Sequence, residues 1–115
     1  MLNVPTPVRV FLYTVATDMR KSFSGLHGLI MEALQQDPLS GDWFVFVNRR
    51  RDRIKIMTWE RDGFSIWYKQ LQRGTFAIPQ HASESLLLTS QQLALILAGV
   101  DLRQTRPRKR YQRAG

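Results

Sequence analysis

Residues 43–71 read WFVFVNRRRDRIKIMTWERDGFSIWYKQL, and this stretch decides the fold. Trp43 to Val47 is apolar at every position, the pattern of a central strand covered on both faces. Asn48 to Asp52 is polar throughout and makes a hairpin loop. Arg53 to Glu60 and Phe64 to Leu71 read as two further strands joined by Arg61-Asp62-Gly63. Asp-Gly between two such runs is a strong hairpin signal. A three-residue loop puts Ile54, Ile56 and Thr58 on one face with Phe64, Ile66 and Tyr68. The opposite face then carries Arg53, Lys55, Met57, Trp59, Trp67 and Lys69, a basic face with interleaved indoles. A two-residue loop slips the register by one and exchanges the partners. The three-residue loop is preferred because it gives the strand pair one coherent apolar side.

Working outward, Val8 to Tyr13 is rich in β-branched and aromatic residues and predicts another strand. Thr17 or Ser22 can cap the helix that follows, since a hydroxyl accepts a free backbone N–H there. Leu26, Leu29, Ile30, Ala33 and Leu34 recur at helical spacing, and the helix should end near Asp37-Pro38. Gly25 and Gly28 weaken it by about 1 kcal/mol each relative to alanine, unless they allow close approach to a sheet. Pro38 to Asp42 is a turn by composition, and Phe76 to Pro79 a candidate short edge strand. Thr89 and Gln92 form a capping box, Leu93, Ile96 and Leu97 line one face of a short helix, and Gly99 ends it. The expected class is α+β: a mostly antiparallel β-meander packed against one long and one short helix. Residues 1–102 form one domain, and 103–115 a disordered basic tail.

The composition excludes much. The chain has 115 residues, enough for one domain, and 43% are hydrophobic, enough for a core. Cysteine is absent, which removes disulfides, thiol nucleophiles and thiolate metal sites. His27 and His81 are the only histidines, so a His-rich metal site is excluded too. Leu93 to Val100, the longest apolar run, is far short of the roughly 20 residues that span a bilayer. The first ten residues lack a charged start followed by an apolar run, so no secretory signal is expected and a cytoplasmic setting is. Asp18, Asp37, Asp42, Asp52, Glu60 and Asp62 show no spacing that singles out a catalytic pair, and no phosphate-binding glycine motif occurs. No enzyme, cofactor or metal is expected.

What remains is charge. The formal net charge is +8, and Arg103, Arg106, Arg108, Lys109, Arg110 and Arg113 carry most of the excess. A second cluster, Arg49, Arg50, Arg51, Arg53 and Lys55, is interrupted only by Asp52. A guanidinium presents a planar fork that pairs two phosphate oxygens. Two such clusters point to a polyanion, although a charged hairpin tip also blunts aggregation and a basic tail also aids solubility. Trp59 and Trp67 suit base stacking if exposed and core packing if not.

Specific residues carry a resemblance. Thr17-Asp18-Met19-Arg20-Lys21 with Phe23 and Gly25-Leu26 opens it. Asp37-Pro38, Ser40-Gly41 and Phe44-Val45-Phe46 follow. Asn48 through Lys55, Trp59, Gly63-Phe64, Tyr68-Lys69, Leu71, Arg73-Gly74, Phe76 and Pro79 complete it. In this order they resemble TnpB, the small accessory protein of the IS-sixty-six family of bacterial insertion sequences, over residues 8 to 102 or so. Ser22, Ser24 and Gln72 depart from that pattern. The resemblance implies a role in transposition beside a separate, larger transposase that carries the catalytic carboxylates. Its recurrent residues fall on Asp18, Arg20, Arg49, Arg50, Asp52, Arg53, Lys55, Tyr68, Lys69 and Arg73. It implies no role for Asp18, Arg20, Asp52 or Tyr68 individually.

The expected function is therefore a transposition accessory protein that binds DNA to assist the transposase. The expected contacts are Arg49, Arg50, Arg51, Arg53, Lys55, Lys69, Arg73, Arg106, Arg108, Lys109 and Arg110. The alternative is an adaptor that binds the transposase without touching DNA. Because the last apolar helix closes before the tail begins, a 1–102 truncation should melt within a few degrees of the full chain. A larger loss in a thermal melt would mean that the tail packs on the body.

Overall fold

The computed structural model describes residues 8–80 and 83–103. Five strands and two helices follow in the order β1 (Val10–Tyr13), α1 (Phe23–Glu32), β2 (Trp43–Val47), β3 (Arg53–Glu60), β4 (Gly63–Gln70), β5 (Ser85–Leu88) and α2 (Ser90–Leu97). They form one sheet of order β4-β3-β2-β1-β5. The class is α+β, but the sheet is mixed rather than an antiparallel meander. β1 and β2 run parallel, with Val10 beside Trp43 and Leu12 beside Val45. Parallel neighbours need a crossover, and α1 supplies it. The other pairings are antiparallel.

The sheet lies between two layers. On one face Phe11, Tyr13, Phe44, Phe46 and Met57 pack with Leu26, Ile30 and Leu34 from α1 and its exit. On the other, Val10, Leu12, Val45, Val47, Ile54 and Ile56 pack with Leu93 and Ile96 of α2 and with Leu71 and Phe76. This two-sided cover explains why β1 and β2 are apolar and buried at every position.

Several local expectations change. Helix α1 has ten residues and ends at Glu32, so it is not long. Gln35 turns left-handed at φ 53°, and the Gln36 amide bonds back to the Ile30 carbonyl at 3.0 Å. The chain thus winds off before Asp37-Pro38 is reached. Ser22 stands at the N-cap position, but its hydroxyl makes no cap hydrogen bond. Neither helix glycine serves approach to the sheet. A Cβ at Gly28 would meet nothing within 4 Å, and one at Gly25 would meet the Lys21 side chain at 3.2 Å. Residues 76–79 form no strand, whereas 85–88 do, beside β1. The capping box of Thr89 and Gln92 is present, and Gly99 takes a left-handed φ of 89° just past the helix. His81 and residues 104–115, including Arg106, Arg108, Lys109 and Arg110, lie outside the described residues.

The hairpin register is the main correction. Glu60 pairs with Gly63 and Trp59 with Phe64, so the loop has two residues, Arg61 and Asp62. Arg61 accommodates the tight turn with φ at 55°. Ile54 and Ile56 now face the same side as Lys69 and Trp67, while Lys55 and Met57 share theirs with Tyr68 and Ile66. The basic face with two interleaved indoles does not exist. Trp59 lies edge-on to Phe64 with centroids 5.0 Å apart, and Trp67 packs against the opposite core.

A polar clamp sets the start of the parallel pair. Asp42 is buried, and it accepts hydrogen bonds from the Arg9 amide at 3.1 Å and the Arg9 guanidinium at 2.8 Å. Ser40 donates a third at 3.0 Å. Burial pushes the Asp42 carboxyl up, but the hydrogen bonds from Arg9 and Ser40 outweigh it and hold the group below its usual range. A carboxylate depressed in the folded state stabilises above its unfolded value, near 3.9, and that contribution fades as pH falls through the folded value. Asp42→Asn should cost about 1.5–3 kcal/mol near neutral pH, read from urea midpoints. The gap to the parent protein should shrink below about pH 4. An equal gap at every pH would refute the ionised clamp.

Candidate functional site

The parallel pairing puts the exits of β1 and β2 side by side. Residues 14–22 leave one strand and 48–52 leave the other. Between them opens a cleft of about 600 Å³ lined by Ala16 to Arg20 on one wall and by Asn48, Arg49, Arg50, Asp52 and Arg53 on the other. Four guanidinium groups and two carboxylates therefore meet on one concave surface.

The first wall is held from below. The Thr17 amide donates to the Val47 carbonyl at 2.8 Å, binding the loop to the end of β2. Lys55 points from β3 under the loop. Its Nζ donates to the Met19 carbonyl at 2.8 Å and the Lys21 carbonyl at 2.7 Å. The Tyr68 ring lies 4.8 Å from the same ammonium, so a cation–π contact covers it. Lys55 is only 7% exposed. It is thus a tether and does not stand on the surface with the arginines beside it.

On that wall Asp18 and Arg20 form an ion pair, Nη2 to Oδ2 at 2.6 Å. Arg20 Nε also donates to both carboxylate oxygens, and the Arg20 amide donates to Oδ1 at 2.9 Å. The side-chain hydrogen bonds from Arg20, followed by its backbone hydrogen bond, lower the Asp18 carboxyl to about 2. The pair precedes α1 and builds a turn, with the Lys21 amide donating to the Asp18 carbonyl at 3.0 Å.

The second wall is organised by Asn48. Its Oδ1 accepts from the amides of Asp52 at 3.1 Å and Arg53 at 3.0 Å, and its Nδ2 donates to Asp52 Oδ1 at 2.7 Å. A short polar side chain that hydrogen-bonds nearby backbone is the usual means of closing such a loop. Arg51 closes the turn with φ at 60°, and its carbonyl accepts from the Phe76 amide at 2.7 Å. Leu71 likewise donates to the Asp52 carbonyl, so segment 71–76 braces the hairpin from outside.

The expected site residues therefore divide. Arg49, Arg50 and Arg53 line the cleft together with Asp18, Arg20 and Asp52. Arg51 and Arg73 are exposed but do not line it. Lys69 lies on the opposite face of the sheet, paired with Ile54. Tyr68 covers the Lys55 ammonium. Sequence reasoning missed the tether, because a lysine within an arginine run reads as one more surface cation. It also left Asn48 and Thr17 without the wall positions that they hold. The Asn48/Asp52 spacing, with two side chains able to bond across one turn, was the available signal.

The structure sets these residues on a known sequence pattern. The family described as IS66 Orf2 like protein matches residues 8–107. Two relatives from Sinorhizobium fredii (strain NBRC 101917 / NGR234) are similar along nearly their whole length. One is the uncharacterized protein y4jC, 32% identical over 88% of this chain and 86% of its own. The other is the uncharacterized protein y4hO, 34% identical over 90% of each. No solved structure matches. Lys55→Met should expose the tether: it leaves two carbonyls without their donor, a loss of about 1–3 kcal/mol in chemical denaturation. It should also speed amide exchange across residues 18–21, and unchanged exchange there would mean that the loop holds itself. By the match over most of its length, the chain belongs to the IS66 Orf2-like family, accessory proteins of insertion-sequence transposition.

Proposed function

We propose that this accessory protein grips the phosphate backbone of DNA in the cleft, with Arg49, Arg50 and Arg53 as contact cations, and so assists a separate transposase. One observation carries the reading: guanidinium groups from two distant chain segments converge on a single concave surface whose walls are tied together. Arginine at such a place favours phosphate, because its rigid fork matches two oxygens at once. Asp18 holds the Arg20 fork in one orientation, and Asn48 engages one carboxylate oxygen of Asp52. The basic residues after Arg103 add further cations, and contacts of cations with phosphates carry no sequence information. Among the described residues no group of three or more His, Cys, Asp or Glu side chains could hold a metal ion, and no helix could cross a membrane.

The two cleft carboxylates favour a second reading, in which the occupant is a mixed-charge segment of the transposase and DNA contact is small. Salt separates the two. Each phosphate neutralised on duplex DNA contributes about −0.9 to the slope of log affinity against log salt. Arg49→Ala and Arg50→Ala should each flatten the slope by about one unit in fluorescence anisotropy with a labelled duplex. Both side chains are exposed, so each change should alter stability by no more than about 0.5 kcal/mol. A slope that survives both substitutions would remove the cleft as the DNA site, and absence of binding at low salt would leave the adaptor.

A further inference from the structure

Strand β4 is an edge of the sheet, with β3 its neighbour on one side and no described strand on the other. Edge strands offer unpaired backbone groups, and proteins usually blunt them with proline, bulges, short length or repeated charge. Gly63 to Gln70 uses little of this. It pairs with β3 without interruption over eight residues, contains no proline, and carries one charge, Lys69. The opposite edge, β5, has four residues.

The hydrogen-bond phase shows which groups face outward. Leu71 donates to the Asp52 carbonyl, and this pair continues the register of β3 and β4. In an antiparallel ladder bonded pairs alternate with non-bonded ones. Gly63, Ser65, Trp67 and Lys69 therefore turn their backbone groups toward β3. Phe64, Ile66, Tyr68 and Gln70 turn theirs away from the sheet. Tyr68 is also one of the large apolar side chains left exposed, at 47%.

We infer that β4 pairs with β4 of a second copy across a two-fold axis, making one continuous ten-stranded sheet. The strand is complementary to itself. An antiparallel pairing centred on Ile66 puts Phe64 opposite Tyr68 of the second copy and Ile66 opposite its own counterpart. All are outward-facing residues, as bonded pairs require. The same register puts Gln70 opposite Asp62. The basic end of the edge, Lys69 and Arg73, thereby meets the hairpin tip of the other copy, where Glu60 and Asp62 outnumber Arg61. Charge fixes the antiparallel sense, and each contact occurs twice, as two-fold symmetry demands. One strand edge buries less than a standard interface, so the dimer forms reversibly with concentration. The inference does not rest on DNA binding.

Sedimentation equilibrium of the full chain across a wide micromolar range tests it, with backbone amide exchange read at both ends of that range. The expected result is a monomer–dimer equilibrium, with the amides of Phe64, Ile66 and Tyr68 protected only at high concentration. Those of Ser65, Trp67 and Lys69 should be protected throughout. Gln70→Pro removes an outward N–H that the monomer does not use, so it should keep its circular dichroism spectrum and lose the dimer. Lys69→Glu and Asp62→Lys should each weaken association, and together they should restore it. A monomer at every concentration would overturn the inference. So would a dimer indifferent to these changes, or outward amides already protected in the monomer, which would mean that another part of this chain covers the edge.

Discussion

The ammonium of Lys55 is the contact on which the site depends. A buried cation is costly unless polar groups surround it, and the Met19 and Lys21 carbonyls do so here. Those carbonyls belong to a loop with no regular structure, of which Met19 packs against the core. Without the lysine, the Thr17–Val47 hydrogen bond and the packing of Met19 would be left to hold the loop on the sheet. Tyr68 closes the arrangement from β4, so the β3–β4 hairpin and a loop more than thirty residues away meet at one charge. The loop so held presents Asp18 and Arg20 to the hairpin arginines across the cleft.

The parallel pairing of β1 and β2 is the second constraint. It sends both strands out at the same edge of the sheet, and that is why residues near 18 and near 50 become neighbours. An antiparallel pair would have put their exits at opposite ends. The Thr17–Val47 hydrogen bond then sets the two exits in contact. Asp42 performs the matching task at the other end, where Arg9 enters β1.

Much of the fold was legible in the sequence, for physical reasons. WFVFV announced a strand covered on both faces, and β2 has those bounds. The capping box at Thr89 satisfies backbone donors locally, so local sequence was enough to find it. The parallel crossover was not legible, because an apolar strand looks the same whichever way its neighbour runs. The two-residue hairpin was misread because Asp-Gly drew Gly63 into the turn, whereas Arg61 takes the left-handed position and Gly63 opens the strand. That single slip moved Trp67 and Lys69 to the other face. The arginine cluster stood out in the sequence, but the partners of Asp18 and Arg20 across the cleft required the fold. Lys55 could not be told from its neighbours, since its burial comes from a loop more than thirty residues away.

In the proposed function, two separate segments form one phosphate-binding surface. Nuclear magnetic resonance of the full chain, titrated with a short DNA duplex at low salt, tests it residue by residue. Amides of residues 16–20 and 48–53 should shift together along one binding curve, while those of β5 and α2 stay in place. Shifts confined to the residues after Arg103, or in the hairpin without the Asp18–Arg20 wall, would contradict it.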